Sequence, residues 1–213
     1  LNQLPCVLIG AGDHARVLLD CLGRLGMTVL GCVDADSTLD GTTVGGAKVL
    51  GQDSVIADYA VGSIALVNAI GSTRSVERRR SVYAAFKGRG HAFLTVVHPS
   101  ATVGASVELG EGVQVMAGAV LQAGTRIGAN SIVNTGSIVD HSCVVGAHVH
   151  LAPGCVLSGG ITIGEQTHIG TAAAVIQGVK IGSHCLVAAG AVVIDDVPDG
   201  ACVMGVPARQ RRS

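Results

Sequence analysis

Tryptophan is absent from this chain of 213 residues, and tyrosine and phenylalanine occur only twice each. All four rings (Tyr59, Tyr83, Phe86 and Phe93) lie before residue 97, so the second half builds something with no room for, or no need of, large side chains. Charge is also sparse. Fourteen basic residues against fifteen acidic ones leave a formal net charge of −1, and the basic residues are scattered, which argues against a nucleic-acid partner. No apolar run approaches the roughly 18 residues that a membrane-crossing helix needs. The apolar stretch Cys6–Ile9 is too short for a signal-peptide core and has no basic residue before it, so a cytoplasmic location is expected. Seven cysteines form no Cys-x-x-Cys pair, and their spacing matches neither a zinc site nor a disulfide framework, which points to reduced thiols.

What is present divides into two periods. In residues 1–96, short apolar runs alternate with helical patterns: strands over Cys6–Gly10, Thr28–Asp34, Ile64–Ile70 and Ala92–Val96, and helices over Asp13–Leu25 and Arg74–Lys87. This predicts a small Rossmann-like βα sheet with parallel pairing. From Val97 the period becomes six. Positions 97, 103, 109 and every sixth residue to 193 are Val, Leu or Ile, a series with chance odds on the order of 10⁻⁸ if a third of residues were of these types. The position four residues after each is small or β-branched, from Ala101 and Val107 to Cys185 and Ala191. Such a unit is the signature of a parallel β-helix, three units to a coil, each coil advancing roughly 4.8 Å. Residues 97–213 are therefore expected to form a β-helix with a short C-terminal tail. Cys143, Cys155 and Cys185 fall in the corner series, where packing is their expected role.

GAGDHA, at residues 10–15, follows a strand and opens a helix, the context in which glycine backbone and a helix N-terminus receive phosphate. Asp34 at the end of the next strand is a candidate ribose partner. Fewer than 100 residues precede the repeats, too few for the usual two-half dinucleotide fold, so a mononucleotide fits better than NAD and a reductase is disfavoured. Arg78, Arg79 and Arg80 could meet a pyrophosphate, although a charged helix face is the simpler reading. In the β-helix, His141 lies two positions after inward Val139, with Ala123 one coil before it and Gly159 one coil after, leaving space beside the imidazole. His150 stacks on His168; two imidazoles in register make a metal conceivable, but no carboxylate or thiolate recurs with them and no metal is expected.

The string VGAHVHLAPGCVLSGGITIGEQTHIGTAAAVIQGVKIG, followed by DDVPDGACVMGVPAR, resembles the left-handed β-helix acyltransferases. VLIGAGDHARVLLD and NTGSIVDHSCVVG narrow the resemblance to the sugar acyltransferases related to sialic acid O-acetyltransferases and UDP-amino-sugar N-acetyltransferases. The handedness comes from that resemblance. So does the expected activity, transfer of an acetyl group from acetyl-CoA, a co-substrate, to the amino group of a nucleotide-linked amino-deoxy sugar. The resemblance implies a homotrimer with active sites between subunits and places the catalytic histidine at His141, a residue type suited to general-base work near neutral pH. Relatives usually carry an acidic residue directly after this histidine; here Ser142 stands there, and Asp140 is the candidate substitute. The resemblance further implies acetyl-CoA contacts at His150, Gly159, Thr171 and Ala189, with Arg209 in GVPAR as a basic group for CoA phosphate or an ordinary solvated tail beside Arg211 and Arg212. It places nucleotide-sugar contacts at Gly12, Asp13, His14, Asp34, Ala35, Gly71 and Ser72. The competing readings are O-acetylation of a sialic-acid-type sugar and a non-catalytic nucleotide-sugar-binding scaffold.

Overall fold

The computed structural model describes residues 4–72 and 75–211. The chain begins with β1 (Cys6–Ile9), α1 (Asp13–Arg24), β2 (Val29–Val33), β3 (Thr43–Val44), β4 (Ala47–Gly51), β5 (Ala65–Asn68) and α2 (Glu77–Gly88). The strands form one sheet in the order β3-β4-β2-β1-β5. β1 pairs in parallel with β2 and β5, and β2 with β4. Side chains alternate across β1. Cys6 and Leu8 pack with the buried stripe Ala15, Leu18, Leu19 and Leu22 of α1, whereas Val7 and Ile9 face Phe86 of α2 and Phe93.

The hairpin β3–β4, antiparallel through Thr43↔Lys48, was not foreseen. Its signal was available: Gly45 and Gly46 both take positive φ, 52° and 85°, as a two-residue hairpin turn demands. The expected strand Ala92–Val96 shrinks to a parallel bridge between Leu66 and Phe93, because the chain is already crossing over. Val96–Val97 pairs instead with Gln114–Val115, in a sheet of the second half. The start of the expected helix at Arg74 lies outside the described residues; α2 begins at Glu77.

From Val96 onward the chain winds through three largely parallel sheets. Strands pair eighteen residues apart, as in Leu121↔Val139, Val139↔Leu157, Leu157↔Val175 and Val175↔Val193. This is the coil length that the six-residue period requires. From Val115 onward the inward aliphatics are buried, and Cys143, Cys155 and Cys185 sit among them in the core. Each buried side chain stabilises the coil by roughly 1.5–3 kcal/mol, which explains why the series tolerates no polar break. The tail is not loose. Cys202–Met204 adds a further parallel strand beside Leu186–Val187, and Arg209–Gln210 folds back on it antiparallel.

The three β-helix sheets differ in what they show to the outside. One bears Gln114, Ile132, His150 and His168, all buried; Met116 and Ile132 of that sheet join the core beneath α1. The second, with outward Glu108, Arg126, Val144, Thr162 and Lys180, is exposed and carries most of the charge. The third has outward Val120, Ile138, Val156, Ala174 and Val192, with Ile138 and Val156 each 40% exposed. That apolar ladder is bounded by two rows of corners, and both rows matter for the site.

Candidate active site

A cavity of about 640 Å³ opens where the N-terminal sheet meets the β-helix. Its floor on one side is the loop from β1 to α1, through Gly12, Asp13 and His14, with Asp34 beside it. Gly71 and Ser72 close it from the loop after β5, and Asn134 and His150 supply the β-helix wall. The residues expected to contact the nucleotide-sugar are therefore gathered in one place, with Ala35 in an adjoining hollow of about 60 Å³ beside Asp34 and Arg78. Asp34 holds the glycine loop in shape: its Oδ2 accepts the Ala11 N–H at 2.7 Å and its Oδ1 the Asp36 N–H at 3.0 Å. Each oxygen keeps a lone pair for a ligand hydroxyl.

His14 is tied to the β-helix. Its Nε2 lies 2.9 Å from Gln114 Oε1, and Gln114 Nε2 donates to the Asn68 carbonyl at 2.7 Å. Since a carbonyl can only accept, the Gln114 amide is oriented and His14 Nε2 is the donor. Burial lowers the His14 pKa to about 4, so at neutral pH the ring is uncharged.

The three arginines of α2 behave differently from one another. Arg80 pairs on the surface with Glu77 at 2.6 Å, as a charged helix face implies. Arg78 lines the cavity. Arg79 is buried, has no acidic partner among the described residues and holds three carbonyls: Nη1 donates to Asn68 at 2.6 Å and Ile70 at 2.9 Å, and Nε to Asn130 at 3.0 Å. Burial pushes its pKa down to about 9. Asn68 in turn donates to Asn130 Oδ1 at 3.0 Å. Arg79 thus fastens the loop that leads to Gly71 and Ser72 onto a turn of the β-helix.

His150, expected among the acetyl-CoA contacts, lines the same cavity as the sugar-side residues. It stands in register with His168, the two rings edge to face with centroids 4.9 Å apart. Burial and the neighbouring His168 press its pKa down to about 3. Among the described residues, no group of three or more His, Cys, Asp or Glu gathers to hold a metal.

His141 lies elsewhere in the same chain, on the turn between Ile138–Val139 of the apolar sheet and Val144–Val145 of the charged one. Its backbone N–H donates to Asp140 Oδ1 at 2.7 Å, and among the described residues no hydrogen bond joins the Asp140 carboxylate to the imidazole. The group facing the imidazole is Ser142, whose Oγ is 3.4 Å from Nδ1. Ser142 has φ of 60°, one of the left-handed corner positions that mark each turn. Gly159 sits one coil further on. A Cβ there would fall 2.6 Å from both Cε1 and Nε2 of His141, so the imidazole occupies the space that any side chain at 159 would need.

Thr171 and Ala189 lie on the opposite row of corners. With His168, Gly170 and Ala188 they line a groove of about 230 Å³. Arg209 sits at the far end of the sheet that carries His150 and His168, its Nη1 3.1 Å from Asp195 Oδ2 on an exposed surface. Arg212 lies outside the described residues.

Known proteins share this fold. The N-terminal domain model of PglD matches residues 6–86, and the hexapeptide repeat model of succinyl-transferase matches residues 160–194. No curated protein sequence matches the chain. A histidine-to-asparagine variant of perosamine N-acetyltransferase from Caulobacter crescentus, in complex with CoA and GDP-perosamine, is 39% identical. It superposes with a TM-score of 0.91, covering 98% of this chain and 97% of that one. The acetyltransferase domain of PglB from Neisseria gonorrhoeae, in complex with acetyl coenzyme A, is 36% identical with a TM-score of 0.90 over 99% and 100% of the two chains. The chain belongs to this family of hexapeptide-repeat sugar N-acetyltransferases. WeeI from Acinetobacter baumannii, 27% identical with a TM-score of 0.88 over 98% and 100%, has the same architecture.

For a member of this family, two residues at the site carry no expectation from the sequence, Asn134 and Gln114, and Arg78 meets the cavity as one of the three arginines weighed for a pyrophosphate. Asn134 lines the cavity, and Gln114 orients His14. Gln114, Asn134 and His150 share a sheet or its edge, at intervals close to the coil length. The eighteen-residue spacing could have drawn attention to Gln114 and His150 as outward polar residues of one column. Arg78 carried no signal that distinguished it from Arg79 and Arg80.

Proposed function

We propose that this protein transfers an acetyl group from acetyl-CoA to the amino group of a nucleotide-linked amino-deoxy sugar, with residues 1–96 binding the nucleotide-sugar and residues 97–213 binding the donor. The observation that carries this reading is the cavity where Gly12, Asp13, His14, Asp34, Gly71 and Ser72 meet His150. Relatives solved with GDP-perosamine and CoA, or with acetyl coenzyme A, support it. The glycine loop and the N-terminus of α1 suit a phosphate, and Arg78 adds a cation on the same wall. The groove beside Thr171 and Ala189 is bordered by small residues and suits a thin pantetheine chain, with Arg209 as the basic group toward its phosphates.

In the chemistry that follows, the sugar amine attacks the thioester carbonyl. The N–C bond forms, the C–S bond breaks, and no covalent enzyme intermediate is required. His141 Nε2 is the general base that takes the proton from the attacking nitrogen and returns it to the leaving sulfur. Ser142 orients the ring through Nδ1, in place of the acidic residue usual in relatives. Neutral His150 forms part of the cavity wall, its two ring nitrogens held by Asn134 and Ser72.

His141 and Gly159 occupy one row of corners and Thr171 and Ala189 the other, with the apolar ladder between them. A second copy packed on that ladder would bring the histidine corner of one subunit to the groove of its neighbour. Joining a histidine corner to a neighbour's groove is a head-to-tail contact, and this geometry favours a homotrimer, the smallest closed ring of such contacts. Seven unpaired cysteines and an acetyl-CoA donor suit the cytoplasm; among the described residues no helix is long and apolar enough to cross a membrane.

The test is release of free CoA thiol from acetyl-CoA with a panel of UDP- and GDP-linked amino sugars, run beside His141→Ala. Turnover with at least one amino sugar and a loss of about 10²–10⁴-fold in the variant are expected. No CoA release with any sugar, or near-normal turnover by His141→Ala, would sink the assignment.

A further inference from the structure

Asn134, His150, Ser72 and His168 form a line of hydrogen bonds whose direction follows from its first member. Asn134 Oδ1 accepts the backbone N–H of Thr135 at 2.8 Å, and a backbone N–H can only donate, so Nδ2 is the amide's other end. Nδ2 lies 3.1 Å from His150 Nε2. That nitrogen therefore accepts, and the His150 proton is on Nδ1, which donates to Ser72 Oγ at 2.5 Å. The Ser72 hydroxyl keeps its own proton. Among the described residues the acceptor facing it is His168 Nδ1, at 3.5 Å. With Nδ1 accepting, an uncharged His168 carries its proton on Nε2, and burial holds this ring's pKa below the usual imidazole range.

His168 is 6% exposed, and among the described residues no hydrogen bond engages its Nε2. It lines the groove of Thr171 and Ala189, one wall away from the cavity that Ser72 and His150 share. We infer that His168 is a further donor-binding residue, whose Nε2–H hydrogen-bonds a carbonyl oxygen of an acyl thioester or of its amide-containing arm, and that Ser72 is the positioning residue that sets its tautomer. The inference rests on the reading of this groove as the acyl-CoA site. It also gives the two sites a physical connection, since Ser72 belongs to the sugar cavity and its neighbour His168 lines the donor groove.

Calorimetric titration with CoA and with acetyl-CoA tests it, using the full chain, His168→Leu, His168→Gln and Ser72→Ala. His168→Leu is expected to weaken acetyl-CoA binding by about 5–10-fold, the usual weight of one neutral hydrogen bond. His168→Gln keeps an N–H donor and should lose less than about 3-fold on the same basis. A loss with acetyl-CoA alone assigns the thioester carbonyl; equal losses with both ligands assign the amide-containing arm. If His168→Leu does not fold, His168→Phe, a ring without nitrogen in the same column, replaces it. Nitrogen-15 NMR of the histidine rings reads the tautomer directly: Nε2–H at His168 in the parent, and a redistribution toward Nδ1–H in Ser72→Ala. A folded variant without the donor that binds both ligands as tightly as the parent overturns the inference, as does an Nδ1–H tautomer in the parent. Failure of the parent itself to bind CoA overturns the reading of the groove instead.

Discussion

Replacing Gly159 by alanine separates catalysis from folding more cleanly than any change to His141 itself. Gly159 does not lie in the left-handed region, and the nearest atoms to a new Cβ are Cε1 and Nε2 of His141, both at 2.6 Å. A comfortable carbon–nitrogen approach is roughly 3.5 Å, so the ring must swing by about 1 Å. Misplacing a reacting group by that amount costs about 10²-fold in rate. The backbone accepts alanine without strain, and Gly→Ala at such a site usually stabilises by about 0.4–1 kcal/mol through the unfolded chain. The expected result is a kcat lowered about 100-fold in the thiol-release assay, with the thermal midpoint unchanged or slightly raised. Gly110→Ala is the contrasting control. There the new Cβ would meet the backbone N of Ala129 at 2.6 Å, which cannot swing aside, so stability should fall by about 1–3 kcal/mol. Normal kcat in Gly159→Ala would refute the placement of His141 as base, because the chemistry would have survived displacement of its nitrogen.

Other consequences can be measured on the same protein. Arg79→Met leaves the carbonyls of Asn68, Ile70 and Asn130 without their donor, and should destabilise by about 2–4 kcal/mol; a melting temperature within a degree of the parent would show that the latch is dispensable. Acid should weaken the fold before it reaches the carboxylate range. Burial lowers His14 to about 4 and His150 to about 3, whereas unfolded histidine titrates near about 6.5. Between those values the unfolded chain binds more protons, so this stability is complete above about pH 6.5 and declines as pH falls, by up to about 1.4 kcal/mol per unit for each ring. Urea midpoints that stay flat from pH 7 to pH 5 would contradict it. Ile138→Asp, on the exposed ladder, is expected to sediment as a monomer where the parent sediments as a trimer, and to lose turnover while each coil stays folded; a monomeric parent, or a monomeric but fully active variant, would remove the shared site.

The β-helix was legible in the sequence because its rule is local and repeated. Every sixth side chain must enter a narrow core, so the spacing of Val97, Val103 and their successors determined the coil length, the register of His150 on His168 and the position of Gly159 against His141. The βα half was legible in outline, since α1 and the strands around it have their own periods. The hairpin at Thr43–Gly51 hid in a short weakly apolar stretch, and the run Ala92–Val96 read as a strand because its apolar pattern does not reveal which sheet it joins. Tertiary structure alone decided how the two halves meet. Three adjacent arginines look alike in sequence, yet the angle at which α2 lies on the β-helix sends Arg78 to the cavity, Arg79 to the buried carbonyls and Arg80 to solvent. The same docking brings Ser72 to His150 and His14 to Gln114, pairs separated by 78 and 100 residues. No local period connects such positions; only the packing of one sheet against another does.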